Sequence, residues 1–423
     1  MKAASIVLFA GMVGCAIVQI VAAAEAAIFT EKVLHSFSGG GTDGANPAAG
    51  VINANGILYG TTVYGSGDGL RGTVFAVNRK TGAETVVYAF CSQPQCADGF
   101  NPSGGLINVN GTLYGTTAAG GSGSEGQQFG TAFALDPNTG SEKVLYSFCT
   151  KLVNGACSDG ANPAAGVIDA KGTLYGTTQE GGNGNDSENG TAFALDPKTG
   201  TETVLYDFCS QKNCTDGEQP RAALVDVNGT LYGTTASGGI YGCPGGQACG
   251  AAFSLDPNTG ADSVLHSFGN GTDGRYPEAS LIAANGMLYG TTYAGGVTGC
   301  GGPGCGTVFS IDPNTGAEKV LYSFCSQQNC ADGANPFASL IDANGTLYGT
   351  TRAGGSADKG TVFSLDPSTG AETALYSFCS QQNCTDGANP IASLIEVKGK
   401  FYGTTDEGGA FGYGTVFVLK EKR

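Results

Sequence analysis

The chain has 423 residues, of which 72 are glycine and none is tryptophan, and its formal net charge is −16. A chain this acidic lacks the basic face that phosphate contacts require, which excludes duplex or single-stranded nucleic acid as a natural partner. Glycine at this level is typical of disordered sequences, but here the glycines recur at fixed places. They therefore predict turns and close backbone contacts.

Residues 1–24 have the features of a secretory signal peptide. An apolar stretch follows Lys2 and leads into three alanines before Glu25. We expect cleavage there and no membrane span afterwards; a membrane anchor, or a lipoprotein attached through Cys15, is the alternative. Residues 30–423 are expected to form a single domain.

One pentapeptide, Leu-Tyr-Gly-Thr-Thr, recurs along the chain and is replaced by Phe-Tyr-Gly-Thr-Thr in its last copy. An even period of this length indicates one supersecondary unit repeated many times. The tyrosines of the seven copies are Tyr59, Tyr114, Tyr175, Tyr232, Tyr289, Tyr348 and Tyr402.

Four short segments, A to D, make up each repeat. In the sixth repeat they are Phe337–Asp342, Thr346–Thr351, Gly360–Leu365 and Thr373–Phe378. Each is rich in β-branched and aromatic residues, and Asn-Gly or Asp-Pro-x-Thr-Gly turns separate A from B and C from D. No apolar spacing typical of helices follows the N-terminal segment. Each repeat is therefore predicted to be a four-stranded antiparallel meander.

Seven such meanders can bury both faces if they pack around an axis as an all-β, seven-bladed β-propeller. A linear solenoid is the competing arrangement, but it needs atypical capping units, and the sequence has none. The array opens with a lone D-type strand, Val33–Phe37, and ends with a C-type strand, Gly414–Leu419. We predict that the N-terminal strand completes the last blade and closes the ring.

In such a propeller the D–A and B–C loops lie on one face, which we call the loop face. The A–B and C–D turns lie on the other, the turn face. The turn face has the same short turns in every repeat, whereas the B–C loops vary from residues 353–359 to the much longer 118–129 and 236–249. Variable loops on a rigid scaffold are where binding sites are commonly found.

The fourteen cysteines other than Cys15 form local pairs in loop-face segments. Paired cysteines in an exported chain indicate disulfides, and metal binding is the weaker alternative because the pairs lie on different blades. The expected pairs are Cys91 with Cys96, Cys149 with Cys157, Cys209 with Cys214, Cys243 with Cys249, Cys300 with Cys305, Cys325 with Cys330, and Cys379 with Cys384.

Tyrosine occurs in three settings. Seven belong to the pentapeptide copies, and five share one position of segment D, which His35 and His266 fill in the other two repeats. The two histidines are therefore interpreted as packing substitutes rather than catalytic groups. The other five fall in loop-face segments and are candidates for binding a sugar or a peptide, unless they form loop cores. These five are Tyr64, Tyr241, Tyr276, Tyr293 and Tyr413.

An aspartate recurs before each segment A, in the sequence Asp-Gly-x-x-Pro. Its carboxylate is expected to accept backbone N–H groups of the turn, and a ring of cation sites is the alternative. Residues common to every repeat, Tyr-Gly-Thr-Thr and Gly-Thr-x-Phe among them, are interpreted as structural. The aspartates are Asp43, Asp98, Asp159, Asp216, Asp273, Asp332 and Asp386.

The repeat, Leu-Tyr-Gly-Thr-Thr-x-x-Gly-Gly followed by Gly-Thr-Val-Phe-x-Leu-Asp-Pro-x-Thr-Gly-x-Glu-x-Val-Leu-Tyr-Ser-Phe, resembles the GloVer tandem repeat of bacterial exported proteins. That family is named for cyanobacterial and verrucomicrobial members, and its members are often described as carrying one of several kinds of anchor. The resemblance covers about nine-tenths of the chain and implies an exported repeat protein, with no catalytic residues to transfer. Unlike anchored members, the sequence ends at 420–423 without an apolar tail. The Asp-x-x-Thr-Gly turn also resembles quinoprotein-like propellers, but their strand-D tryptophan is Tyr or His here.

We therefore expect a secreted, extracellular or periplasmic binding or scaffold module, in monomeric form, which recognises a glycan or peptide through its loop face. No cofactor and no metal are expected. The alternative is a carbohydrate-active enzyme, a lyase or hydrolase, which uses loop-face acids and tyrosines. A quinone-dependent dehydrogenase is disfavoured because the chain has no tryptophan. The sequence contains no Ser/His/acid set, phosphate loop or nucleophile elbow, but 36 acidic residues leave carboxylate pairs for glycoside chemistry open.

Overall fold

The computed structural model describes residues 29–40, 43–65, 71–123, 129–182, 189–243, 248–296 and 304–422. Within these ranges the chain forms seven four-stranded antiparallel sheets, the blades of a closed β-propeller. We number the blades 1 to 7 in chain order and name their strands A to D from the channel outwards. The predicted signal peptide and Cys15 lie outside the described residues.

The strands have these bounds in blades 1 to 7. Strands A are Ile52–Ala54, Ile107–Val109, Ile168–Ala170, Val225–Val227, Ile282–Ala284, Ile341–Ala343 and Ile395–Glu396. Strands B are Ile57–Thr62, Thr112–Thr117, Thr173–Thr178, Thr230–Thr235, Met287–Thr292, Thr346–Thr351 and Lys400–Thr405. Strands C are Thr73–Asn78, Thr131–Asp136, Thr191–Leu195, Ala251–Leu255, Thr307–Ile311, Thr361–Leu365 and Thr415–Glu421. Strands D are Glu84–Ala89, Ser141–Ser147, Glu202–Asp207, Asp262–Ser267, Glu318–Ser323, Glu372–Ser377 and, for blade 7, Phe29–Ser36.

Smaller elements occupy the loop face. Three two-stranded ladders pair Gly44–Ala45 with Tyr64–Gly65, Leu152–Val153 with Ala156–Cys157, and Gly274–Arg275 with Ala294–Gly295. Short 3₁₀ turns lie in four D–A loops, at Pro94–Cys96, Lys212–Cys214, Gln328–Cys330 and Gln382–Cys384. No helix within the described ranges is long and apolar enough to cross a bilayer.

The N-terminal strand closes the ring, as predicted. Phe29–Ser36 pairs antiparallel with Thr415–Glu421, with Val33 opposite Phe417. The pairing continues beyond the strand, because the Phe37 N–H donates to the Gly414 carbonyl at 3.0 Å. The two ends of the chain thus share one sheet, and the prediction of a strand-exchange closure is confirmed.

Strand A is shorter than predicted. The sequence pattern placed it at residues 337–342 in blade 6, whereas the structure has only Ile341–Ala343. The segment before strand A forms hydrogen bonds with the neighbouring blade instead. From blade 4 to blade 5 the Ala223 N–H donates to Ser280 Oγ at 2.9 Å, and from blade 5 to blade 6 the Ser280 N–H donates to Ser339 Oγ at 3.0 Å. These backbone groups face the channel and are satisfied around the ring, so they do not extend the ladder with strand B.

The core consists of seven clusters, and each is centred on a phenylalanine pair between adjacent blades. Phe90, just after strand D of blade 1, packs edge-on against Phe133 of blade 2, with ring centroids 5.1 Å apart. Edge-to-face pairs of this kind contribute about 0.5–1.5 kcal/mol beyond their buried area. The other pairs are Phe37 with Phe75, Phe148 with Phe193, Phe208 with Phe253, Phe268 with Phe309, Phe324 with Phe363, and Phe378 with Phe417.

The glycine and both threonines of the repeated Tyr-Gly-Thr-Thr motif each have a structural role. A Cβ on Gly60 would lie 2.5 Å from Phe75 Cζ, so the ring leaves room only for glycine. Thr61 Oγ1 donates to the Gly104 carbonyl of the next blade at 3.2 Å, and Thr62 Oγ1 donates to the Tyr64 carbonyl at 2.8 Å. The motif therefore joins strands within a blade and blades to each other.

Candidate functional site

A cavity of about 650 Å³ lies at the loop-face end of the central channel. Its walls are the segments that follow the D–A prolines of all seven blades, and Gln179 from a B–C loop adds to them. Cavities of roughly 300–1,000 Å³ are typical of ligand sites. The cavity opens on the loop face, at the channel axis rather than on the outer loops.

The residue directly after each D–A proline lines this cavity and differs from blade to blade. These residues are small in blades 1 to 3, charged in blades 4 and 5, and apolar in blades 6 and 7. In blade order they are Ala48, Ser103, Ala164, Arg221, Glu278, Phe337 and Ile391. An almost symmetric scaffold thus has a strongly asymmetric opening.

Arg221 and Glu278 form an ion pair between blades 4 and 5, on the wall of the cavity. Arg221 Nη1 lies 3.2 Å from Glu278 Oε2, and Nη2 donates to Gln219 Oε1 at 3.3 Å. Arg221 Nε is buried and has no partner among the described residues. The pair fixes one positive and one negative group on the cavity wall.

Two of the predicted tyrosines lie next to residues that line this cavity, although neither tyrosine lines it itself. The ring of Tyr293 lies edge-on to Phe337, with centroids 6.1 Å apart, and the Tyr293 N–H donates to the Tyr276 carbonyl at 3.0 Å. Tyr276 has a φ of 57°, at a position where the other blades have Asn or Gln. Its side chain packs against the cluster that contains Cys249, so Tyr276 also serves as loop core.

The other three predicted tyrosines lie elsewhere on the loop face. Tyr241 lines a separate open cavity of about 460 Å³ together with Ile240 and His266. Tyr64 and Tyr413 are 42% and 46% exposed. None of the three lines the channel cavity, so the five predicted tyrosines do not form one site.

Each pair of adjacent blades meets at a cluster that we call a blade joint. It contains the Tyr or His of strand D, the aspartate of the following D–A loop, and an acid at the start of the next strand D. In the joint of blades 1 and 2, the Tyr88 hydroxyl donates to Asp98 at 2.8 Å and lies 3.5 Å from Glu142 Oε2. The Ser92 N–H also donates to Asp98 at 2.8 Å, which confirms the predicted turn role.

The acid at the start of the next strand D is buried next to the aspartate in each joint. Burial, and then repulsion from Asp98, raises the pKa of Glu142 to about 7, and burial with Asp332 raises the pKa of Glu372 to about 8. One oxygen of each is buried without a hydrogen-bond partner in the described residues. Glu142 and Glu372 are therefore held partly protonated near neutral pH. The full set is Glu31, Glu84, Glu142, Glu202, Asp262, Glu318 and Glu372.

His35 and His266 replace the tyrosine in two of these joints, as the sequence pattern predicted. Each packs edge-on against a phenylalanine with centroids 4.9 Å apart, much as the tyrosines do. Their Nε2 atoms lie 3.2 Å from Asp43 Oδ1 and 2.9 Å from Asp273 Oδ2, respectively. These two joints place an imidazole nitrogen among carboxylates, a set that can hold a metal ion.

Three successive stretches, residues 20–157, 149–302 and 300–423, match the family described as the Gloeobacter/Verrucomicrobia repeat. Together they cover most of the chain. The chain belongs to this family. The resemblance noted from the repeated motif is thereby confirmed. No curated protein matches the sequence significantly.

Solved structures similar to this Gloeobacter/Verrucomicrobia repeat protein share little sequence with it. An oligogalacturonate lyase in complex with manganese is 11% identical, with a TM-score of 0.49 over 94% of this chain and 97% of that one. A putative 6-phosphogluconolactonase from Bacteroides uniformis is 15% identical, with a TM-score of 0.48 over 86% and 96%. Likeness at this level carries no information about substrate or activity.

Disulfides tie loops of the Gloeobacter/Verrucomicrobia repeat protein on the loop face. Six of the expected pairs are bonded, namely Cys91 with Cys96, Cys149 with Cys157, Cys209 with Cys214, Cys243 with Cys249, Cys325 with Cys330, and Cys379 with Cys384. Of the seventh pair, Cys300 lies outside the described residues. Five of these six bridges close D–A loops, beside the blade joints.

Sequence reasoning missed the channel residues Arg221, Glu278 and Phe337. The signal was present, because the position after the D–A proline changes in chemical character from blade to blade, as does the position after Tyr-Gly-Thr-Thr. Tyr293 was identified as a tyrosine outside the motif, but the phenylalanine beside it was not. An alignment of the repeats shows both variable positions and therefore includes all three residues.

Proposed function

We propose that the protein is an exported binding module that recognises a glycan or a peptide at the loop-face end of its channel. One observation carries the proposal: the residues after the seven D–A prolines line one cavity and differ in chemical character from blade to blade. Residues that only build a blade would be similar in every blade. Variation concentrated at one opening is what a specific ligand would require.

The chemistry of the opening fits an amphipathic ligand. Phe337 supplies an aromatic wall with Tyr293 packed against it, and Arg221 and Glu278 supply a donor and an acceptor on the two preceding blades. Aromatic rings with a polar edge pack on sugar rings and on peptide side chains, while fixed charges orient the ligand. Tyr64, Tyr241 and Tyr413 would add contacts from the outer loops to a longer ligand.

The alternative, a glycoside hydrolase or lyase, fits this cavity less well. Glycoside hydrolysis commonly uses two carboxylates that flank the scissile bond. Among the described residues that line the cavity, Glu278 is the sole acid, and Arg221 already pairs with it. Binding without turnover is therefore the function that we favour.

Export is supported by two separate features. Residues 1–24 have the order of charge, apolar stretch and small residues that signal peptides have. Six disulfides are present in the described part of the chain, and disulfides persist mainly in oxidising compartments.

Binding to a glycan array and to a peptide library, followed by titration of the best ligand, tests the proposal. Phe337→Ala and Tyr293→Ala should each weaken binding by about 2 kcal/mol or more, since truncating an anchor aromatic typically costs this much. Tyr241→Ala examines the outer loops. Asn314→Ala, in a C–D turn of the opposite face, is the matched control and should have no effect.

Two results would contradict the proposal. One is unchanged affinity in both Phe337→Ala and Tyr293→Ala, with loss of affinity in Asn314→Ala. The other is release of reducing ends or unsaturated products from the bound glycan, which would favour the enzyme. A fall in melting temperature in the tyrosine variant would instead show that Tyr293 is loop core.

A further inference from the structure

Two blade joints bring together three side chains of the kinds that bind metal ions. His35, Asp43 and Glu84 meet where the N-terminal strand of blade 7 joins blade 1, and ligand atoms of all three lie within 4.8 Å of one another. His266, Asp273 and Glu318 make the same arrangement between blades 4 and 5.

Each cluster contains a carboxylate oxygen that nothing in the described residues satisfies. Glu84 Oε1 and Glu318 Oε1 are buried and have no hydrogen-bond partner. A buried carboxylate oxygen without a partner is unfavourable, and a cation beside it would remove that cost. Asp273 is itself only 7% exposed, so the second joint is largely shielded from bulk water.

The five tyrosine joints have the same acids but not the same ligand set. There a phenol hydroxyl donates to the aspartate, as Tyr322 does to Asp332 at 2.7 Å. A protonated phenol is a much weaker metal ligand than an imidazole nitrogen. Burial raises the pKa of Tyr322 above its usual range, which keeps its phenol protonated. The imidazole is what distinguishes the two remaining joints.

The distribution of disulfides is an independent observation that points to the same two joints. Every tyrosine joint has a D–A loop closed by a disulfide, for example Cys325 with Cys330 beside Tyr322. The D–A loops after His35 and His266 contain no cysteine at all. These loops are thus without a covalent closure where the metal-binding side chains occur.

We propose that the two histidine joints are metal sites, each of which binds one Zn²⁺ through an imidazole and two carboxylates. Zn²⁺ accepts nitrogen and carboxylate oxygen at about 2.0–2.2 Å, commonly with three protein ligands and a water. The bound ion cross-links a D–A loop to the next blade, in place of the bridge that closes the loop elsewhere. At the first site this fastens the N-terminal strand to blade 1, and at the second His266 lines an open cavity that provides a path for entry.

Zinc titration by calorimetry, on oxidised protein that has been stripped with a chelator, tests the proposal. Two equivalents per chain are expected, and binding should raise the melting temperature. His35→Tyr and His266→Tyr should each remove one equivalent and together both. The replacements introduce the residue that five joints already have, so the fold should persist.

Tyr88→Phe is the matched control, because it alters a joint without removing a metal ligand, and it should leave two equivalents. Glu84→Gln and Glu318→Gln should weaken their own site by about 100-fold or more, since even groups that only support metal ligands are worth 10–100-fold. Equal zinc binding by the wild type and the double histidine variant would overturn the proposal. So would the absence of any high-affinity binding by the wild type.

Discussion

At the scale of single residues, the acids at the start of strand D are buried without enough hydrogen bonds to offset the cost of removing a carboxylate from water. Glu142 and Glu372 each face an aspartate across a blade joint, and each has a buried oxygen without a partner in the described chain. Their pKa values lie near 7 and 8 in the folded protein. An exposed, unfolded glutamate has a pKa of about 4.3.

The folded protein should therefore become less stable as pH rises from about 5 to 8. Because the folded state holds these protons more tightly, it binds more of them than the unfolded state in this window, and unfolding becomes easier as they are lost. Glu142→Gln and Glu372→Gln keep the shape but cannot ionise. Each should raise the melting temperature at pH 8 by roughly 1 °C or more, because the unfolding entropy that converts free energy into a temperature shift scales with chain length. The change at pH 5 should be smaller, because the wild-type glutamates are protonated in the folded protein at that pH.

The control for this pH experiment is Glu396→Gln, at the exposed last residue of strand A in blade 7. It should leave the pH profile of the melting temperature unchanged. A wild-type melting temperature that rises steadily from pH 5 to 8 would show that the joint acids are ionised in the folded protein.

At the scale of elements, the pairing of Phe29–Ser36 with Thr415–Glu421 decides whether the ring is closed. The N-terminal strand also brings Phe37 against Phe75, so it completes both the sheet of blade 7 and the interface with blade 1. Without it, the last strand C would become an open edge. Unpaired edges of this kind promote association between chains.

Deletion of residues 29–37 should therefore produce oligomers or aggregates in size-exclusion chromatography with light scattering. A synthetic peptide of residues 29–38, added during refolding, should restore the monomer by supplying the missing strand. The same peptide with Phe37→Ala is the control and should restore it poorly. A monomeric deletion variant with an unchanged melting temperature would show that the closing strand contributes little.

At the scale of the whole molecule, the even period predicted the seven blades, and the displaced D-type strand predicted their closure. Both features depend on order along the chain, which the sequence displays directly. The extent of strand A was wrong, because its first residues bond to neighbouring blades rather than to strand B. The approach of Glu84 to His35 was not predicted either, since it depends on how one blade packs on the next.

The loop face differs from the sheets in what holds it together. Each D–A disulfide closes a short loop, with its two cysteines five to eight positions apart in the sequence. Chain entropy assigns roughly 2 kcal/mol to a loop of this length. The phenylalanine pairs and the ring closure involve none of these bridges. Loops and sheets should therefore respond separately to reduction.

Reduction under native conditions should speed amide hydrogen exchange in the five bridged D–A loops and leave exchange in strands B and C slow. The D–A loops at residues 37–43 and 268–273 have no cysteine and serve as internal controls, so their exchange should not change. The far-ultraviolet circular dichroism should keep its β-sheet signal, because opening a surface loop does not unpair a blade. Loss of that signal on reduction would mean that the bridges stabilise the ring as a whole. Faster exchange at residues 268–273 would mean that neighbouring joints are coupled through the blades.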